Sequence, residues 1–220
     1  MRADFHSHTF LSDGQLHPVE HLRYAKVTGH VAIAITDHCG VTDAGDLLKR
    51  HARELEAVAD DLGVRALLGV ELTHVPPRLI AQAAKAARRA GAQVVVVHGE
   101  TTDEPVAEGT NAAAVACSDV DVLAHPGFLS LKDAQEAAER GVFLELTPRR
   151  VHCHTNGHVA RVAVQAGAKL VVNSDAHRFD DLLTDEAARR VAAGAGLDEA
   201  VVAKVLGAWP QELLDRAGTS

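Results

Sequence analysis

The chain has 220 residues, 47% of them hydrophobic, which suits one packed core and excludes a disordered chain. Its net charge of -8 and 3% aromatic content speak against long nucleic acid or an anionic membrane as partner, since those need basic surfaces or stacking platforms. Cys39, Cys117 and Cys153 are scattered without CxxC spacing, and no signal peptide or spanning run is present, so a reduced cytoplasmic protein is expected.

In chain order, apolar runs predict strands over about 3–8, 31–37, 65–72, 93–98, 120–125, 142–147 and 169–174. Helix-forming stretches lie between them: Leu47 to Leu62, Leu79 to Ala90, Leu131 to Arg140 and Val159 to Ala166. Gly63, Gly91, Gly141 and Gly167 follow as helix-ending glycines. Three more helices are predicted over Glu186 to Ala193, Asp198 to Leu206 and Pro210 to Ala217. Strict strand–helix alternation implies a parallel sheet. Polar candidates end six of the seven strands, which favours a closed barrel over an open sheet with one switch point. The expected fold is a distorted seven-stranded (β/α)7 TIM-like barrel, one domain over 1–220, with its site at the C-terminal strand ends.

The residues at those ends have metal-binding chemistry. His6 and His8 end the first run, and period two puts both imidazoles on one side of the chain. Asp37-His38, Glu71, His98 and His125 end the next four, and Asp175 with His177 repeats the alternate spacing after the last. Asp13 stands before Gly14, whose turn can fold the carboxylate back. One such histidine alone is ordinarily a hydrogen-bonded imidazole. The full set is a donor set for zinc, iron or manganese.

In His6-Ser7-His8-Thr9 through Ser12-Asp13-Gly14, Thr36-Asp37-His38, Gly69-Val70-Glu71, His98, Ala124-His125-Pro126-Gly127 and Asn173-Ser174-Asp175-Ala176-His177, the chain resembles the PHP (polymerase and histidinol phosphatase) family. The resemblance implies three divalent metal ions held by His6, His8, Asp13, His38, Glu71, His98, His125, Asp175 and His177, with Glu71 bridging. His6, His8, Glu71, Asp175 and His177 would act in catalysis through those ions. Asp37 would orient His38 from behind. It further implies phosphate-ester hydrolysis by a hydroxide shared between two ions.

After the sixth strand, which has no ligand, stand Arg149, Arg150, His152, Asn156 and His158, with Arg178 beside His177. These are the substrate candidates: the guanidinium fork matches phosphate, and Asn156 opens a helix whose N-terminus suits an anion. The leaving-group acid is left open between His152, His158 and a ligand-associated carboxylate. Cys153 and His154 are expected to be structural, and His17, His21, His30, His51 and His74 to lie at the surface or at helix ends. The compact chain is closest to the histidinol phosphatase branch, so a small phosphorylated substrate is expected, histidinol phosphate first. Nucleotide monophosphatase or short-oligonucleotide exonuclease activity is the enzymatic alternative. An amidohydrolase lacks its strand-end lysine here, and a non-catalytic metal-binding domain is the third option.

Overall fold

Parallel strands dominate the computed structural model, which describes residues 2–58 and 63–218. Seven of them are β1 (Arg2–Asp4), β2 (His30–Ile35), β4 (Arg65–Leu72), β5 (Val94–His98), β6 (Val122–Ala124), β7 (Phe143–Leu146) and β8 (Leu170–Val172). They stand side by side in that order, each parallel to the next, as a nearly closed seven-stranded barrel. A further two-residue strand, β3 (His38–Cys39), pairs with the end of β4.

Several predicted strands are shorter than expected, 120–125 and 169–174 among them, and in two the cause is visible. The 3–8 run stops as a strand at Asp4, because that carboxylate takes the backbone N–H groups of His6 (3.2 Å) and Ser174 (3.0 Å). The 31–37 run breaks at Thr36-Asp37, where Thr36 N donates to Ser7 O at 2.8 Å, and resumes as β3.

Among the described residues, no regular ladder joins β8 back to β1. Side chains and single backbone bonds close the seam instead. Arg2 donates to the Val172 carbonyl (2.7 Å), Phe5 N to Asn173 Oδ1 (3.0 Å) and His8 N to Ala176 O (2.8 Å). Asp175 N in turn donates to His6 O (3.1 Å).

Period-two alternation divides the core. Ala3, Phe5, Ala32, Ala34, Val94, Val96, Val122, Ala124 and Phe143 face one another across the barrel interior. Val95, Val97, Leu123, Leu144, Leu146, Leu170 and Val172 face outward beneath the helices. Each such Val or Leu contributes roughly 1.5–3 kcal/mol when fully buried. The C-terminal helix (Ala208–Gly218) packs Leu213, Leu214 and Ala217 against the interior set, plugging the barrel at the end away from the strand C-termini.

The outer layer is α1 (Pro18–Thr28), α2 (Ala44–Glu56), α3 (Pro77–Arg89), α4 (Thr110–Val115), α5 (Leu131–Arg140), α6 (Asn156–Ala166), α7 (Asp185–Gly194), α8 (Glu199–Val205) and the C-terminal α9. The predictions omit α1 and α4. A start signal for α1 is present in Pro18 at its first turn, but its β-branched and aromatic residues weaken the helical pattern. The end of the predicted helix Leu47 to Leu62 includes 59–62, outside the described residues. Gly141 and Gly167 end α5 and α6 in the left-handed conformation, φ 72° each, as expected. No helix among the described residues is long and apolar enough to cross a membrane.

Candidate metal centre

All nine predicted ligands meet at the C-terminal strand ends. His6 and His8 bring their Nε2 atoms within 3.0 Å of each other. The donors fall into overlapping groups, each with its atoms within 4.8 Å of one another. One is His8, Asp13, His38 and His177; a second is His6, Glu71 and His125; a third is His6, His8 and Asp175. In the fourth, His98 and His125 are joined by His152, expected above as a substrate contact or leaving-group acid and not as a ligand.

Glu71 stands at the middle. Its Oε1 lies 3.3 Å from His6 Nε2 and 3.6 Å from His125 Nε2, and its Oε2 lies 2.6 Å from His38 Nδ1. That position between groups suits the bridging role. His125 and Asp175 hold positive φ (27° and 52°), conformations that cost roughly 1–3 kcal/mol in a residue other than glycine. The surrounding hydrogen bonds must hold that strain in place.

The donor set fits divalent cations. Glu71 Oε1, His8 Nδ1 and His125 Nδ1 are buried without a hydrogen-bond partner. Leaving such atoms unpaired costs about 1–3 kcal/mol each, and ions bound by nitrogen and carboxylate oxygen would satisfy sites of this kind.

The electrostatics point the same way. Burial pulls His38 down, but Glu71 and Asp13 raise it to about 10. Burial likewise opposes a charge on His6, yet Glu145, Glu71 and Asp175 hold it well above the ordinary imidazole range. Burial opposes charge on Glu71 as well, and His6 and His38 keep it ionised. Protons on these rings therefore balance the carboxylates, and cations can displace them.

The groups behind the ligands differ from expectation. Asp37 does not touch His38. Its carboxylate accepts from Thr9 N (2.6 Å), Thr9 Oγ1 (2.6 Å) and His51 Nε2 (2.7 Å), so it ties the His6–Asp13 loop to α2. His38 Nδ1 is instead 2.6 Å from Thr73 Oγ1. Glu145, on the strand with no predicted ligand, accepts from His6 Nδ1 at 2.8 Å and from Asn173 Nδ2 at 2.9 Å.

His21, His30 and His51 are buried, not at the surface. His51 continues the buried α2 stripe of Leu47, Leu48 and Leu55, a pattern already visible in the sequence. His17 is exposed, and His74 stacks on His98 with ring centroids 5.3 Å apart. Glu104, which no motif marked, places Oε2 3.1 Å from His98 Nε2.

The substrate candidates separate. Arg149 reaches the site, with Nε 3.5 Å from Asp175 Oδ2. Arg150 lines the adjoining cavity of about 620 Å³, which shares Glu104, Arg149 and His152 with the metal pocket. Asn156 instead pins the end of β7, donating to the Thr147 carbonyl at 2.8 Å. His158 is bound to the Leu129 carbonyl at 2.7 Å, and Arg178 pairs with Asp180 at 2.9 Å. Local partners thus take up these three side chains. Burial first, and then His125, push His152 down to about 4, so its ring is neutral at neutral pH.

Comparison with known proteins agrees with this fold and identifies the family. An uncharacterised protein of Methanocaldococcus jannaschii is 47% identical over 219 residues, covering 98% of this chain and all of that one. The histidinol phosphate phosphatase of Lactococcus lactis, solved with zinc, L-histidinol and phosphate, shares the fold with a TM-score of 0.59 at 13% identity. That match covers 99% of this chain and 94% of the other. A two-domain Bacteroides vulgatus protein containing a predicted PHP-like metal-dependent phosphoesterase shares it with a TM-score of 0.51 at 16% identity, over 81% of this chain and 52% of that one. The PHP domain itself matches residues 4–183, most of the barrel and every predicted ligand, and the chain therefore belongs to the PHP domain family.

Proposed function

We propose that the chain is a metal-dependent phosphoesterase that hydrolyses small phosphoric monoesters, with histidinol phosphate the first substrate to test. The observation that carries this reading is the convergence of nine His, Asp and Glu donors, all but the exposed Asp13 buried or half-buried, with Glu71 among them and Arg149 at their edge. The donors that would hold ions are His6, His8 and Asp175; His6, Glu71 and His125, with His98 beside His125; and His8, Asp13, His38 and His177. Bound divalent ions would polarise phosphoryl oxygens and lower the pKa of water enough to supply hydroxide near neutral pH.

The chain's own residues do the rest. Arg149 is half-buried, and its guanidinium can grip two phosphate oxygens once substrate competes with Asp175 for it. Glu145 keeps the His6 Nδ1 proton, so that Nε2 faces the centre with its lone pair free. Glu104 is held near 2, chiefly by His98, and stays ionised, so it is no proton donor. His158 is tied to Leu129 and is not one either. The 620 Å³ cavity suits a small molecule better than a polymer.

The test is phosphate release by metal-loaded protein from histidinol phosphate, nucleoside monophosphates and short oligonucleotides. Turnover confined to histidinol phosphate supports a histidine-biosynthesis phosphatase. Preference for nucleotides moves the substrate and keeps the chemistry. No release from any ester, with metals bound, refutes the hydrolase reading and leaves a binding role.

A further inference from the structure

Four donors, two of them not among the nine predicted ligands, converge at one wall of the pocket. His98 ends β5 and His125 follows β6, their ring centroids 4.4 Å apart. His152 stacks on His125 at 4.2 Å, and the three rings bring donor nitrogens within 4.8 Å of one another. Glu104, on the loop after β5, places Oε2 3.1 Å from His98 Nε2 and Oε1 3.6 Å from His152 Nε2.

Hydrogen bonding fixes which nitrogens face this point. His98 Nδ1 sits 3.2 Å from the Gly99 carbonyl, which can only accept, so Nδ1 carries the proton. Nε2 then meets the Glu104 carboxylate in one of two ways: through its own proton when the ring is charged, or through a cation shared with the carboxylate when the ring is neutral. His152 Nδ1 sits 2.7 Å from Thr101 Oγ1, a hydroxyl that can accept its proton and so leave that Nε2 free as well. Thr101 is buried and belongs to the same loop as Glu104, so one segment orients His152 and supplies the carboxylate.

The backbone is distorted to deliver His152. Val151, immediately before it, has φ 71° and ψ -48°. This is a costly conformation for a β-branched residue. It lets the chain turn after Arg149, whose carbonyl accepts from Cys153 N at 3.0 Å, and points His152 back into the pocket.

We propose that His152 and Glu104 bind the same ion as His98 and His125, forming a position of three imidazoles and one carboxylate that takes zinc. Two nitrogens bound tetrahedrally to zinc lie roughly 3.4 Å apart, so donors already within 4.8 Å need only small rotations to close on the ion. The Arg149–Thr155 and Gly99–Gly109 loops then order together around that ion, and a substrate would enter past metal ligands rather than past free histidine. This rests on the metal-centre reading above.

The test is zinc titration of the metal-depleted full chain by calorimetry, with bound zinc counted after dialysis against a weak chelator. His152→Gln and Glu104→Gln should each weaken one ion at least about tenfold, because even a partner hydrogen-bonded behind a ligand is worth that much. His98→Gln is the reference and should lose the same ion. In cobalt-loaded protein both variants should also alter the visible absorption of one equivalent. Glu104 lies on an exposed loop, so Glu104→Gln carries the test should His152→Gln fail to fold. Parental affinity in both variants, with the ion lost from His98→Gln, overturns the inference. Full metal binding by His98→Gln as well would instead overturn the metal-centre reading beneath it.

Discussion

Glu145 is the residue whose removal reports most directly on how the centre is held. Its Oε2 accepts from His6 Nδ1 at 2.8 Å and from Asn173 Nδ2 at 2.9 Å, in a place closed to solvent. A hydrogen bond to a charged group contributes about 1.5–3 kcal/mol, equivalent to roughly 10- to 150-fold in a binding constant. The same range, about 10- to 100-fold, is typical when a group behind a metal-bound histidine is lost. Glu145→Gln keeps the shape and one acceptor oxygen while removing the charge. Its new amide NH2 falls where Oε1 now has no partner. We expect Glu145→Gln to weaken one metal ion about tenfold and Glu145→Ala about a hundredfold, read by competition with a calibrated chelator. Phosphate release at limiting metal should fall in step and recover at excess metal. Parental metal affinity in Glu145→Ala, with an unchanged circular dichroism spectrum, would refute the reasoning.

Arg149→Ala should reduce kcat/KM for a phosphomonoester about 10- to 150-fold, whereas Arg150→Ala should stay within about threefold; steady-state phosphate release separates them. Gly127→Ala should cost about 2–6 kcal/mol in thermal unfolding, since φ is 63° and the added Cβ would lie 1.9 Å from the Glu100 carbonyl oxygen. Asp4 is buried, which alone would raise its pKa, but Arg2, His30 and Ser174 hold the carboxyl well below the usual range. A lowered folded pKa gives stability that is present above the unfolded value of about 3.9 and lost as pH falls toward the folded one. The urea-denaturation gap between Asp4→Asn and the parent should therefore shrink below about pH 4, and a gap constant from pH 7 to 2 would count against this.

The convergence of the nine donors was legible because chemistry-bearing residues sit where apolar runs stop, and the barrel's topology carries all strand ends to one face. Other parts were less visible for identifiable reasons. Glu145 left a trace, a carboxylate between Leu144 and Leu146 in a buried run, yet its partner lies 139 residues away. The α2 stripe also foretold a buried His51, which composition alone made look superficial. Asp37 beside His38 suggested a local partnership, but adjacent residues on an extended chain point apart, and the carboxylate faces Thr9 instead. Glu104 lies in a loop with no periodic pattern, so only the fold brings it to His98. Asn156, His158 and Arg178 have suitable chemistry in suitable places, and local backbone or carboxylate partners claim them.

The side-chain seam between β1 and β8 gives the ions a mechanical role. His6 and His8 stand on one bank, Asp175 and His177 on the other, and among the described residues the seam between them has one isolated bridge, at Ser7 and Ala176. An ion held by both banks is a clasp across the barrel's weakest joint, closing a loop of nearly the whole chain. Long loops cost more entropy to close, and a ligand that binds only the closed form stabilises it in proportion to the logarithm of its concentration. The loaded barrel should then unfold as one unit, while the stripped one opens first along this joint, exposing its interior between the first strand and the last.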